Sequence, residues 1–461
     1  MNIQSNILLM TDSYKVSHYK QYPAKTNRVL SFFESRGGRY GGVLFFGLQY
    51  LIKKYLEGQV VTEEKIQEAK EVFQAHFGNQ SLFNEAGWRH ILQEHGGRLP
   101  IEIKAVPEGT LVPVSNVLVT VVNTDPAVPW LTNYVETLLV QLWYPTTVAT
   151  QSYFMRQTIL QYLEETGTPG DIDFKLHDFG YRGSTTVESA GIGGVAHLVN
   201  FKGTDTIESL VVAKRYYGEA MAGFSIPAAE HSTITSWGRN REVDAYENML
   251  TQYPDGPVAV VSDSFNIFEA CEKLWGGKLR QKVLARNGVL VIRPDSGDPL
   301  QVLPKVLGIL GEKFGYTVNL KGYKVLSPKV RLIQGDGINY ESVGEILEAL
   351  KQAGWSADNI AFGSGGGLLQ MLNRDTQKFA FKCCAIEIDG VWSDVMKDPV
   401  TDSGKRSKAG RLALVLDGKT YQTVKEDEIG VRADLLIPVF RNGKLLVDQK
   451  FADIRKRALV G

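Results

Sequence analysis

From about Phe174 onward one pattern repeats: a short apolar run closes on a small or acidic polar cluster, and a helical pattern follows. Phe174-Lys175-Leu176 ends in His177-Asp178-Phe179-Gly180, and His197 to Phe201 ends in Lys202-Gly203-Thr204-Asp205. Val258 to Val261 ends in Ser262-Asp263-Ser264, and Val289 to Ile292 in Arg293-Pro294-Asp295-Ser296-Gly297. Val330 to Ile333 closes on Gln334-Gly335-Asp336-Gly337, and Ile360 to Phe362 on Gly363-Ser364-Gly365-Gly366-Gly367. Strands that alternate with helices pair in parallel. This repetition, without a dinucleotide fingerprint, favours a closed or nearly closed α/β barrel over an open sheet. In barrels the chemistry sits at the carboxyl ends of the strands. The polar clusters fall there.

The flanking regions have other textures. Thr62 to Phe77 reads as an amphipathic helix, capped by Thr62 and burying Ile66, Ala69, Val72 and Phe73. Ile101 to Val122 reads as paired strands around Pro107-Glu108-Gly109, and Leu131 to Trp143 and Ser152 to Glu165 as helices interrupted at Pro145. Tyr340 to Ala353 places Val343, Ile346, Leu347 and Leu350 on one face and stops at Gly354. Lys397 to Arg411 is a basic loop, and Asp417-Gly418 and Asn442-Gly443 are hairpin signals. Strands near the C-terminus are expected to pack with the N-terminal region. The expected division is 1–148 and 379–461 as two parts of a mixed α+β domain, with 149–378 as the barrel.

Composition narrows the partners. Lysine plus arginine equals aspartate plus glutamate at 51 each, so no global charge draws the chain to nucleic acid or an anionic membrane. Phosphate binding must come from local clusters. The three cysteines, Cys271, Cys383 and Cys384, lack the spacing of a disulfide framework or zinc site, which fits a reducing, cytoplasmic setting. No basic and apolar leader opens the sequence, and no stretch approaches the roughly 20 apolar residues of a membrane span.

Gly363 to Gly367 follows a strand and precedes Leu368-Leu369, which suits either an anion held by backbone N–H groups or a tight strand-to-helix turn. Arg374 favours the anion, and the absence of a Walker lysine argues against a P-loop. Asp295 and Asp336 beside glycines suit ribose hydroxyls or a water-bridged magnesium ion, although aspartates also cap loops. His231, next to Glu230, has no local feature separating it from a packed or surface histidine, and neither do His18, His177 or His197.

Taken together, the motifs resemble the nicotinamide phosphoribosyltransferase family along nearly the whole chain. They are Thr11 to Lys15, Leu176 to Gly183, Phe201 to Asp205, Pro227 to Thr233, Val261 to Ser264, Ile292 to Gly297, Gln334 to Gly337, Ala361 to Gln370, Lys397 to Val400 and Lys405 to Lys408. The resemblance implies an irregular type II phosphoribosyltransferase α/β barrel with a second mixed α+β domain formed by both chain ends. It further implies a homodimer with shared active sites. In it Phe179 and the partner's Tyr14 sandwich a pyridine ring, and Asp205 accepts the carboxamide N–H. Arg293 serves the amide and phosphate, and Asp295, Gly335 and Asp336 the ribose. Gly365, Gly366, Arg374 and Lys382 match the family's 5′-phosphate site, and Arg182, Arg36 and His231 its pyrophosphate side. His231 matches the family's phosphorylated histidine, charged by ATP and oriented by Glu230 and Asp263. Two features depart from the family: the loop after Arg36 is shorter than in animal members, and Ala380 stands where some members have serine.

The implied reaction joins nicotinamide to phosphoribosyl pyrophosphate with Mg2+, giving nicotinamide mononucleotide and pyrophosphate in NAD salvage. The pyridine nitrogen carries no proton, so positioning and electrostatics are expected to dominate. The rivals are a nicotinate phosphoribosyltransferase and a non-catalytic binding protein on the same scaffold. Asp205 opposes the first, because it would face a substrate carboxylate. The retained His231, Arg293, Asp295 and glycine loop oppose the second.

Overall fold

The computed structural model describes residues 6–401 and 406–460. Lys405 of the basic motif, the opening residues 1–5 and Gly461 lie outside that range. The chain forms two compact units, one of residues 1–150, 215–219 and 372–461, the other of 151–214 and 220–371.

The second unit holds a six-stranded sheet whose spatial order is Gly203–Thr204, Leu176–Asp178, Ile360–Ser364, Val330–Gln334, Leu290–Arg293 and Val258–Val261. Every pairing in it is parallel. Its two edges are joined by the irregular segment 224–228. Thr204 donates to the Phe224 carbonyl at 3.0 Å, and Ala259 to the Pro227 carbonyl at 2.9 Å. The sheet thereby closes into an irregular barrel. Leu176, Val258, Val260, Ile292, Leu332 and Phe362 are buried in its core.

Register sets what happens at the rim. Asp178 lies opposite both Ser364 and Thr204, Gln334 opposite Phe362, and Val261 opposite Arg293. The strands therefore stop level with one another, and the polar clusters emerge on one edge. Helix Tyr340–Gln352 buries the four apolar residues expected of it, and Gly354 takes the left-handed conformation after it (φ 77°).

The first unit is an antiparallel sheet of both chain ends, ordered Val391–Asp394, Phe379–Ile388, Thr26–Ser35, Val117–Asn123, Ile101–Ala105, Ile437–Arg441 and Lys444–Leu445. Asn442 and Gly443, both at positive φ, turn its last hairpin, and Gly418 turns the hairpin of Leu412–Asp417 with Thr420–Lys425. Residues 372–378, expected in the barrel, belong here instead. Arg36 N–H reaches the Lys378 carbonyl at 3.2 Å, Arg39 that of Thr376 at 3.0 Å, and Gln377 brackets Tyr40 through its side-chain amide.

Three local expectations are corrected. His197 closes helix Val187–Leu198 rather than opening a strand, and the strand shrinks to Gly203–Thr204. Gly191, Gly193, Gly194 and Ala196 let that helix be buried on most sides, so its apolar run carried no strand information. Pro145 does not interrupt a helix but lies in the first turn of Trp143–Thr166, where a missing N–H removes no intrahelical bond. Thr62 caps helix Glu63–Phe77 as expected, but Val72 is exposed because it falls off the Ile66, Ala69, Phe73 stripe.

Candidate functional site

Phe179 follows Leu176–Asp178, and its N–H donates to the Ser364 carbonyl at 2.9 Å. Its ring lies where Gly363 has no side chain: a Cβ there would come 1.9 Å from Phe179 Cε2. At Gly335 a Cβ would stand 3.1 Å from Asp295 Oδ1 and 3.6 Å from the same ring. Phe179, Asp295, Gly335 and Gly363, on four different strands or the loops after them, thus share one small space. Glycine supplies the close approach.

Beneath Phe179 sits Asp178, wholly buried and donated to by Gly180 N–H at 2.7 Å. Burial pushes its carboxyl up to about 6, against the Gly180 N–H and the Thr206 hydroxyl, which favour the charged form. It anchors the turn that carries Phe179. Asp205 follows the neighbouring strand, its N–H donating to the Asp178 carbonyl at 2.9 Å, and one carboxylate oxygen accepts a hydrogen bond from the Ser225 hydroxyl. Ser225 was not singled out by the sequence. It belongs to the closing segment 224–228, which has no strand periodicity to mark it.

Arg293 Nη2 lies 3.3 Å from Asp295 Oδ2, while Arg293 Nε is buried without a partner. A buried guanidinium nitrogen with no acceptor is costly unless a ligand supplies one. His231 opens the short helix His231–Thr235 and shares a 3.0 Å hydrogen bond, through Nε2, with Asp263 Oδ1. Asp263 is almost fully buried, and the histidine is half exposed. Glu230, expected to help orient His231, instead accepts from the Ser232 hydroxyl. Among the described residues, the hydrogen bond of the imidazole is with Asp263.

Gly365 precedes a helix of only four residues, Gly366–Leu369, so the macrodipole contributes little. Among the described residues no backbone carbonyl takes the N–H groups of Gly365, Gly366 or Gly367. Arg182 is exposed on the turn Tyr181–Gly183, and Asp336 is exposed after Val330–Gln334.

Two cavities meet at Phe179, Asp205, Ala228 and Arg293. The outer one, about 930 Å³, runs past Arg182, Thr185 and Glu230. The inner one, about 760 Å³, descends into the barrel past His177, Ile333 and Ala361. Burial holds the His177 imidazole below its ordinary value, keeping it neutral, while the Asp205 charge opposes this.

Four residues expected at the site lie in the other unit. Tyr14, Arg36, Arg374 and Lys382 line a separate cleft of about 900 Å³, together with Lys378 and Lys397. Lys382 faces Phe32, and Ala380 faces Glu34, across paired strands. Burial lowers the Lys382 ammonium, Glu136 opposes this, and Arg36, Lys397 and Arg374 push it further down. Arg36 Nε is held by Glu34 at 3.1 Å, but its buried Nη2 has no partner. Tyr14 is largely exposed.

Residues 174–444 match the family described as nicotinate phosphoribosyltransferase (NAPRTase). The chain belongs to that family. Residues 6–103 also match the nicotinamide phosphoribosyltransferase N-terminal domain. Full-length relatives include the nicotinamide phosphoribosyltransferase of Xanthomonas campestris, 51% identical with 99% of each chain covered. The Acinetobacter baylyi protein of the same name is 34% identical, covering 99% of this chain and 98% of its own. Among solved structures, nicotinate-nucleotide pyrophosphorylase from Pyrococcus furiosus superposes with a TM-score of 0.63 at 16% identity, covering 100% of this chain and 97% of that one. Human nicotinic acid phosphoribosyltransferase gives 0.58 at 16%, covering 98% and 93%. At that identity they establish the fold, the type II phosphoribosyltransferase barrel, and nothing finer.

Proposed function

We propose that this family member condenses nicotinamide with phosphoribosyl pyrophosphate to give nicotinamide mononucleotide and pyrophosphate, a pentosyl transfer that serves NAD salvage. The observation that carries the reading is the meeting of Phe179, Asp205 and Arg293 where the two cavities join. A flat ring stacks on Phe179, its carboxamide N–H donates to Asp205, and its carbonyl accepts from the unpartnered Arg293 Nε. The pyridine nitrogen then faces the ribose, whose hydroxyls are held by Asp295 and Asp336.

Asp205 selects the amide over the acid. Two carboxylates about 4 Å apart at an effective dielectric near 20 repel by about 4 kcal/mol, less wherever water screens them. Ser225 donates its hydroxyl to Asp205 Oδ1, which leaves Oδ2 for the carboxamide N–H.

The orphan N–H groups of Gly365 and Gly366 receive the 5′-phosphate, with Arg374 and Lys382, while Arg36 and Arg182 meet the pyrophosphate. A homodimer brings Tyr14, Arg374 and Lys382 of one subunit to the barrel rim of its partner. Mg2+ fits the all-oxygen donor set of Asp295 and Asp336, since it binds through one or two carboxylates and otherwise water and phosphate oxygens. It would supply neutralisation of leaving-group charge. Three free thiols, none disulfide-bonded, suit a cytoplasmic setting, and no helix among the described residues is long and apolar enough to cross a membrane. Nicotinamide mononucleotide formation, measured with nicotinamide and with nicotinate, tests the reading. A preference for nicotinate overturns it.

His231 serves as a phosphoryl acceptor from ATP rather than as a base, because the pyridine nitrogen has no proton to lose. Asp263, almost fully buried and bonded to Nε2, leaves Nδ1 to take the phosphoryl group. His231→Ala is expected to abolish ATP hydrolysis while an ATP-independent reaction survives at high co-substrate. ATPase activity persisting in this variant places the acceptor elsewhere.

A further inference from the structure

Away from both clefts, three potential ligands converge in the unit built from the chain ends. His90 lies in helix Glu85–Glu94, His95 caps the C-terminal end of that helix, and Asp125 follows strand Val117–Asn123. The Nε2 atoms of both rings lie against the same carboxylate oxygen, Asp125 Oδ2, at 2.7 Å from His90 and 2.6 Å from His95. The three ligand atoms all fall within 4.8 Å of one another. The rings are inclined at 66° with centroids 5.9 Å apart, so they approach the oxygen from different directions rather than stacking.

The carboxylate is held in place by its surroundings. Its other oxygen accepts the Ala127 N–H at 2.8 Å, and Asn123 Nδ2 fixes the Asp125 carbonyl at 2.7 Å. Such outer contacts orient metal ligands in general. Among the described residues the ion pairs of Asp125 are with these two rings alone, so no lysine or arginine competes for the position. The C-terminal end of a ten-residue helix adds partial negative charge beside His95. The side chains are 16–34% exposed, open to an ion and its water.

We infer that His90, His95 and Asp125 form a binding site for a divalent transition-metal cation, best suited to zinc, with a fourth position left to solvent. Two imidazole nitrogens and one carboxylate oxygen are donors that suit zinc, whereas magnesium and calcium prefer all-oxygen sets. Tetrahedral bonds of about 2.0–2.1 Å place neighbouring donors about 3.3 Å apart. Each ring withdraws from Oδ2 by roughly 0.7 Å, an adjustment within reach of side-chain torsions. Each imidazole would bind the ion through Nε2 as its Nδ1–H tautomer. The ion replaces two hydrogen bonds with three metal bonds and staples the end of helix Glu85–Glu94 to the loop after Val117–Asn123.

The test uses the full chain, stripped with a chelator and titrated with zinc chloride. One equivalent is expected to bind per chain and to raise the melting temperature. Cobalt(II) in its place is expected to give the visible absorption of a four-coordinate site. His95→Gln, His90→Gln and Asp125→Asn should each lose the bound equivalent, the thermal gain and the cobalt spectrum. Circular dichroism of the metal-free variants establishes that each is folded. His231→Gln should keep all three signals. The assignment is overturned if zinc does not saturate at one equivalent, if the three variants keep it, or if only His231→Gln loses it.

Discussion

The barrel rim and the cationic cleft of the end-built unit prepare for a charged ligand by opposite means. At the rim the charged side chains already have partners: Asp295 pairs with Arg293, Ser225 donates to Asp205, and Asp263 is hydrogen-bonded to His231. What remains open there is mostly backbone, the N–H groups of the glycine loop, fixed by level strand ends. In the cleft the cations crowd one another, and Lys382 is depressed by burial and by Arg36, Lys397 and Arg374. The rim is ordered by sterics, the cleft is short of negative charge. Each nevertheless has one buried guanidinium nitrogen without a partner, Arg293 Nε and Arg36 Nη2. The contrast is one of means: close packing orders the rim, and an excess of cations marks the cleft.

The sharpest way to break this contrast is Gly363→Ala. The added methyl would overlap Phe179 Cε2, so the ring must leave its place. Overpacking of this kind costs about 1–3 kcal/mol. Catalytic efficiency should fall by about a hundredfold, through the constant for nicotinamide, with circular dichroism unchanged. Unaltered kcat/KM shows that the rim is not ordered by sterics. Next come Tyr14→Ala and Phe179→Ala, each expected to be weak alone. If the sites are shared between subunits, equal mixing with exchange should restore about a quarter of wild-type activity, since each heterodimer keeps one intact site. No recovery after demonstrated exchange means that cleft and rim serve separate ends.

Asp205→Asn should lower the preference for nicotinamide over nicotinate by about tenfold, the screened part of a carboxylate repulsion. Comparing kcat/KM for both bases checks it, and an unchanged ratio removes Asp205 from recognition. The smallest effect on turnover is expected from Asp178→Asn. In the folded chain this carboxyl is raised to about 6 from an ordinary 3.8, so its contribution to stability is full below about pH 4 and lost as pH rises through 6. Asparagine lacks that loss. The variant should gain stability relative to wild type at pH 7, by up to about 3 kcal/mol, and the gap should close by pH 4. Melting temperatures across that range decide it.

How far a residue could be read from sequence followed how local its partners are. Gly335, Asp295 and Phe179 sit in short motifs directly after strands, and parallel pairing with level ends brings such motifs to one edge without further information. Arg36 and Lys382 are far apart in sequence, and only the antiparallel register of Thr26–Ser35 with Phe379–Ile388 makes them neighbours. Ser225 lies on a segment with no periodicity, and Glu230 accepts from the Ser232 hydroxyl, a partner that no periodic pattern marks.

By itself the sequence determined the alternation of strand and helix, the caps at Thr62 and Gly354, the hairpins at Gly418 and Gly443, and the rim position of the acidic clusters. Each depends on contacts within a few residues or on a hydrophobic period. Tertiary structure decided that helix Val187–Leu198 is buried on most sides, that Pro145 begins a helix, and that residues 372–378 leave the barrel. It also decided that segment 224–228 closes the barrel and that Asp125 gathers two histidines from a distant helix end. Those outcomes turn on which surfaces and hydrogen-bonding groups meet across long stretches of chain, and no local pattern encodes that meeting.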